Sequence, residues 1–372
     1  MSIIIIVLIV FMFIFLIKFF SRFRYEYSYF PLYIFTLLQK RNFKIANTIE
    51  SIKETLLLSD KGNCIEELIA SPAWLPILSL ESVNGDKWIE LKKNFLIFQR
   101  HLPSVSELGS VTKFQVKNFL ESNLEPLDSK YISILTLKIF LKWLFPDAEN
   151  KDLITQKLLL DIYESSVEYR KEIACKGVGC MRLKQRAVDQ VANLLKQSER
   201  YKSIFENWSL PEYYSVVLQP FIISPMINVS DIAVSIEKYK SNYDDDIDSF
   251  VDNCILMEHP FPILERYDNR TNTQIFISLC DLKKIQNGSK FNFGYGPRSC
   301  LGRVYAKEFL KEFFGTILQK KNVNFQPSIN HLYSGRDNDN VSYTESIYQI
   351  KYFFKTCTSL IKHNFFFNKK VL

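Results

Sequence analysis

The stretch Phe293-Gly294-Tyr295-Gly296-Pro297-Arg298-Ser299-Cys300-Leu301-Gly302 decides how this chain is read. It sets one cysteine in a glycine-rich loop, with an aromatic residue and an arginine ahead of it and a helical pattern behind it. Gly294 and Gly296 permit turns that a Cβ would obstruct. Amide N–H groups turned toward the sulfur, and the start of the next helix, would favour a thiolate and lower its basicity. Phe293 would shield the sulfur. Arg298 carries a planar, permanently charged fork that suits a carboxylate. Gly302 lets the following helix run close to whatever the sulfur holds. A thiolate protected in this way suits the axial position of a haem iron, with the propionates as the carboxylates for Arg298.

The residues behind the loop support that reading. Gly302 to Lys321 reads as a helix, with Val304, Phe309, Leu310, Phe313, Ile317 and Leu318 at helical spacing, and Ala306 provides a small residue near its start. Helical patterns also cover Ile45–Leu58, Ile65–Ile69, Lys87–Arg100, Val111–Leu120, Ile132–Leu144, Asp152–Arg170, Leu183–Gln197 and Val216–Lys240. Thr273–Leu279 reads as a strand. The expected fold class is therefore mainly α with small β elements.

The chain has 372 residues, 47% of them hydrophobic, which is ample for a large core. Its net charge of +7 comes from scattered lysines with no basic run interleaved with aromatics, so nucleic acid is not an expected partner. Seven dispersed cysteines, an odd number in a long chain, do not read as a disulfide framework. Cys175 and Cys180 have no matching Cys/His pair and read as ordinary thiols. No P-loop, dinucleotide fingerprint or H-E-x-x-H occurs.

Ile3 to Phe20 is apolar apart from Lys18 and would span about 27 Å as a helix, close to a ~30 Å hydrocarbon core. It lacks the basic start and small-residue exit of a cleaved signal. Lys18, Arg22 and Arg24 follow it, so the expectation is an uncleaved single-pass membrane anchor in lipid with the body in the cytosol. Residues 1–24 form the anchor and basic stop, and 25–372 the main domain. Tyr29–Leu38 is too short for a second span and is expected at the membrane surface or in the core.

The ten-residue loop resembles the cytochromes P450, whose F-x-x-G-x-R-x-C-x-G signature it matches completely. The resemblance implies a P450-like helical fold, haem b as cofactor, Cys300 as its metal ligand, and Phe293, Gly296, Arg298 and Gly302 around the haem. Gly85-Asp86-Lys87-Trp88-Ile89-Glu90-Leu91-Lys92 is similar to the family's helix C, where a Trp and an Arg approach a propionate; Trp88 fits, and Lys92 replaces the arginine. Arg266, after the Pro260-Phe261-Pro262 turn, matches a further propionate arginine. The anchor is also the arrangement of membrane-bound eukaryotic members.

Two departures accompany these matches. The long helix over the haem lacks the family's A-G-x-D/E-T-T. Pro220 and Pro225 are expected to kink or break it, and Asn228 and Asp231 are the candidate catalytic residues in place of the acid–alcohol pair, with Asn228 also readable as a cap or kink residue. The E-x-x-R of helix K falls on Asn253 and Leu256, so its ion pair is absent. The implied activity is a monooxygenase acting on an apolar small molecule with electrons from a reductase. The alternatives are a peroxide-dependent enzyme or hydroperoxide isomerase, and a catalytically eroded haem-binding protein. Lys283, Lys284, Lys290, Arg303, Lys307 and Lys311 form a candidate basic face for an acidic electron donor.

Overall fold

The computed structural model describes residues 29–62, 83–122, 129–150, 153–176, 181–204, 213–259, 263–279 and 281–320, with a few isolated positions. The proposed anchor apart from Met12, the 65–69 stretch, Cys64, Cys180, Cys280, Cys357 and the Pro260–Pro262 turn lie outside the described residues, as does the side chain of Cys175.

The described chain is mostly helical. Its helices are α1 (Tyr29–Leu38), α2 (Ile49–Leu56), α3 (Gly85–Gln99), α4 (Val105–Ser122), α5 (Ser129–Leu144), α6 (Pro146–Asn150), α7 (Gln156–Lys176), α8 (Met181–Gln197), α9 (Ser215–Asn242), α10 (Ile247–Met257) and α11 (Arg303–Leu318). Three strands, β1 (Asn42–Ala46), β2 (Ile263–Asp268) and β3 (Thr273–Ser278), form one sheet in the order β1-β3-β2. β1 runs parallel to β3, with Asn42 opposite Thr273, and β2 runs antiparallel to it, with Arg266 opposite Ile275. The expected helix over Ile45–Leu58 is thus corrected at its start. Ile45 and Ala46 are strand, and Thr48 then caps α2 by accepting the Ser51 amide while Ser51 returns a bond to the Thr48 amide.

α5 lies in the middle of the main core and is buried along almost every face, which explains its lack of a polar stripe. α9 crosses it, and the Ser133 and Ser230 hydroxyls meet at 3.0 Å between the two helices. Among the described residues α9 is the one helix long and apolar enough to cross a membrane by composition, but it is a buried core helix. A second, smaller core joins the sheet to α2 and the segment before the cysteine loop, through Ala46, Ile52, Leu56, Ile277, Leu282 and Phe291.

The prolines of α9 do not break it. The chain runs through them in the wider π-helical form, at Tyr213–Ile223, which begins just ahead of the α9 range, and at Pro225–Val229, then returns to α geometry at Ser230–Val234. A proline ring clashes with the carbonyl four residues back and has no N–H to give, and the wider turn accommodates both defects. Asn228 therefore lies inside a π-helical turn and is neither a cap nor a break point.

Candidate functional site

The cysteine loop is closed by its own backbone. The Gly294 amide donates to the Phe291 carbonyl, the Cys300 amide to the Phe293 carbonyl at 2.8 Å, and the Ser299 amide to the Gly296 carbonyl. Gly294 and Gly296 sit at φ +70° and +72°, so both fulfil the expected glycine role. Gly296 has a second reason: a Cβ there would stand 2.7 Å from the Leu56 carbonyl at the end of α2. The loop presents the Cys300 thiol as exposed. A Cβ at Gly302 would lie 3.8 Å from that sulfur, so the glycine keeps the space beside it open. α11 then starts at Arg303, with Gly302 as its cap, so the sulfur lies near the positive end of a helix. Phe293 is half-buried against the main core, with the Arg303 guanidinium 5.9 Å from its ring centre.

Helix α3 meets this loop along one face. Trp88, Lys92, Phe95 and Gln99 recur at i, i+4, i+7 and i+11 and so share a stripe. The Trp88 ring lies under two cations, Lys92 Nζ and Arg298 Cζ, each 4.7 Å from its centre. Lys92 Nζ also donates to the Pro297 carbonyl at 2.9 Å. Phe95 stacks on Phe221 of α9 with ring centres 5.4 Å apart. Gln99 donates to the Tyr305 hydroxyl of α11, and burial holds that phenol above its ordinary pKa. Arg298 gives its Nε to the Ser59 carbonyl and one Nη to both the Val83 carbonyl and Asn84 Oδ1, the latter two at 2.7 Å. Asn84 precedes α3 but does not cap it with its side chain; its oxygen accepts instead from Arg298 and from the Lys61 amide. Asn84, Gln99 and Tyr305 escaped the sequence reading, although Gln99 extends the Trp88–Lys92 stripe by two turns.

The other sequence candidates are distributed differently. Arg266 is buried in β2 and donates to the Glu265 carbonyl, on the sheet rather than in the Trp88 cluster. Asn228 and Asp231 are both buried in α9. Asn228 Nδ2 donates to Ser224 Oγ at 3.1 Å, while its Oδ1 is buried with no hydrogen-bond partner among the described residues. Asn253 is exposed on α10, and Leu256 packs against the smaller core. In place of an ion pair, α10 and the residues just after it are tied to the segment before the loop by hydrogen bonds to backbone carbonyls. Asn292 Nδ2 donates to the Asp252 carbonyl at 3.0 Å, and the His259 ring meets the Asn292 carbonyl at 2.7 Å. Losing both partners of a buried pair leaves no lone charge behind, which makes this exchange tolerable.

Three members of the candidate basic face are neutralised. Lys284 pairs with Asp281 at 2.6 Å, Lys307 with Asp252 at 2.8 Å and Lys311 with Asp248 at 3.2 Å. The contrast between cysteines is sharper. Burial pushes the Cys254 thiol up to about 12, so it stays protonated and inert, whereas Cys300 is exposed. Among the described residues no three His, Cys, Asp or Glu side chains group as ligands for a bare ion.

The residues present fit a haem. They supply an exposed thiol with a glycine beside it, and two cations over one indole. The described acceptors of Lys92 and Arg298 are neutral, so an anionic edge would complement them.

No family model matches the chain, and no curated protein matches its sequence. Solved structures do match. A cyanobacterial protein, CYP120A1, with bound retinoic acid superposes with a TM-score of 0.54 at 12% identity, over 75% of this chain and 82% of that one. The mycinamicin VIII C21 methyl hydroxylase of Micromonospora griseorubida, bound to mycinamicin VIII, gives 0.54 at 12% identity, over 75% and 83%. CYP175A1 from Thermus gives 0.53 at 13% identity, over 77% and 83%. The fold is that of the cytochromes P450. It is a divergent version, with the signature loop intact and the surrounding sequence far from these structures.

Proposed function

We propose that this protein is a haem-thiolate oxidoreductase of the P450 type, with Cys300 as the iron ligand. One observation carries the reading: the exposed Cys300 thiol stands on a closed loop shaped by two positive-φ glycines, within a P450 fold. Cys300 would contribute the thiolate, favoured by the start of α11. Phe293 would cover the sulfur, and Gly296 and Gly302 give the backbone its approach. Trp88, Lys92 and Arg298 are the groups suited to the propionate edge, and Arg266, which lies outside their cluster, is assigned to it on the resemblance alone. Haem b, when bound, supplies oxidising chemistry that no side chain has. The aromatic core around α9 excludes water from that side.

The substrate we assign is an apolar small molecule and the reaction a monooxygenation, with electrons from a reductase. Residues 1–24 are assigned as a single-pass anchor and 25–372 as a cytosolic haem domain. The half-exposed Tyr33 and Leu37 on α1, directly after that segment, support a position against lipid. Asn228 favours a second reading. A buried carboxamide tied to Ser224 can hold a ligand but is a poor proton relay, which suits a peroxide-dependent reaction or hydroperoxide isomerisation.

Full-length protein, reduced under carbon monoxide, is expected to give the red-shifted thiolate Soret band, and Cys300→Ala to abolish it. Folded protein that takes up no haem overturns both readings. A loaded protein without turnover would be the eroded form. Turnover with a reductase, compared with turnover on peroxide, separates the two reactions.

A further inference from the structure

We infer that Lys92 is a positioning residue for Cys300, acting through the Pro297 carbonyl. This goes beyond a charge offered to a propionate, and it rests on the haem-thiolate reading only for its spectral consequence. The base of the loop is closed by the Cys300 amide on the Phe293 carbonyl. Its opposite end is the single turn Gly296–Arg298, and Pro297 there has no N–H of its own to fasten it. What fastens this turn is α3: the Lys92 ammonium donates to the Pro297 carbonyl at 2.9 Å, from a part-buried position. The ammonium is itself held over Trp88 at 4.7 Å, and the next residue of the loop, Arg298, lies over the same ring. Lys92 and Arg298 thus grip adjacent loop residues from one indole.

The position of this grip matters because α10 does not supply one. Its two counterpart positions hold an exposed Asn253 and an apolar Leu256; ahead of the cysteine its described bonds end at Asn292, eight residues before it, and they resume only on Lys307 and Lys311 of α11. The segment from Gly296 to Arg298 is instead fixed by α2 and α3. Gly296 abuts the Leu56 carbonyl, Arg298 bonds Ser59, Val83 and Asn84, and Lys92 bonds Pro297. Lys92 is the one of these contacts that places a formal charge on a loop carbonyl three residues from the sulfur. A charge-assisted bond of this kind is stronger than a neutral one.

The test is amide hydrogen exchange across residues 293–302 in haem-free, full-length protein. Lys92→Met is expected to speed exchange of the Ser299 and Cys300 amides about tenfold, the factor that loss of one charge-assisted bond implies. Lys92→Arg keeps a cationic donor and is expected to restore protection. A charge needed only for a propionate predicts no change in the haem-free protein, and that outcome would overturn the inference. If Lys92→Met does not fold, Lys92→Gln, which shortens and neutralises the donor, is expected to give the same loss, and unchanged exchange there overturns it equally. In haem-loaded protein, Lys92→Met is expected to move part of the carbon monoxide spectrum from the thiolate band to the shorter-wavelength band of a protonated or displaced thiol. A loop that loosens in haem-free protein with no such change would make Lys92 structural only. The exchange arm needs no haem, so its failure is distinct from failure of the haem-thiolate reading.

Discussion

The cysteine loop and helix α9 are held in place by different forces. The loop is fixed by directed polar bonds: from the Lys92 side chain to Pro297, from Arg298 to Ser59, Val83 and the Asn84 side chain, and, within the loop, from the Cys300 amide to Phe293. α9 is fixed by apolar packing. Phe221 alone meets Phe95 and Phe98 of α3, Trp143 of α5 and Tyr305 of α11, with ring centres 5.4 to 6.2 Å apart. The loop carries every residue of the signature it resembles, whereas α9 lacks the polar pattern that the resemblance implies and is filled with bulky apolar side chains. Packing constrains volume and tolerates changes of residue, but directed polar bonds and positive-φ turns do not.

Four experiments would break or sharpen that contrast. Phe221→Ala is expected to have the largest effect, about 3–5 kcal/mol of lost stability in denaturant unfolding, because it empties a site surrounded by rings. A loss below about 1 kcal/mol would mean that α9 is not held by this cluster. Gly296→Ala is expected to cost about 2 kcal/mol through its left-handed backbone, with added strain against the Leu56 carbonyl, and to lower haem uptake. Wild-type uptake and melting would contradict the assigned turn. Asn228→Leu is expected to raise the stability of haem-free protein by about 1 kcal/mol, since it removes a buried acceptor that has no partner among the described residues, while depressing turnover. Unchanged turnover would remove Asn228 from the site.

The smallest effect concerns pH. Burial, with Glu312 nearby, holds Glu308 of α11 above the ordinary carboxylate pKa. The folded state therefore binds its proton more tightly than the unfolded state. That contribution is present below the ordinary value and is lost as pH rises through the raised one. Glu308→Gln is expected to flatten this slope in unfolding measured across the acid range; an unaltered slope would show that another group sets it.

The loop was legible in the sequence because its chemistry is local: five residues of fixed type within ten positions. Trp88 and Lys92 were legible for the same reason, as one helical turn. β1 was not, since Ile45 and Ala46 sit beside a helical pattern and their strand partners, Phe276 and Ile277, lie far along the chain. The π-helical course of α9 was not legible either. Pro220 and Pro225 signal a local defect, but whether a helix breaks or widens there depends on the packing around Phe221. Asn84 and Gln99 act across the fold on Arg298 and Tyr305, and local spacing cannot reveal such partners.

The bond from Lys92 to Pro297 also bears on the order in which the protein is made. Its partners are 205 residues apart, so α3 emerges from the ribosome long before the loop it fastens. Closing so large a loop is slow and costs entropy before any contact repays it. The cysteine turn is thus expected to order last, after the helices between have packed, and cofactor loading would then be a late, post-translational event. A chain truncated before residue 300 would be expected to hold a largely assembled helical core with α3 waiting for a loop that never arrives.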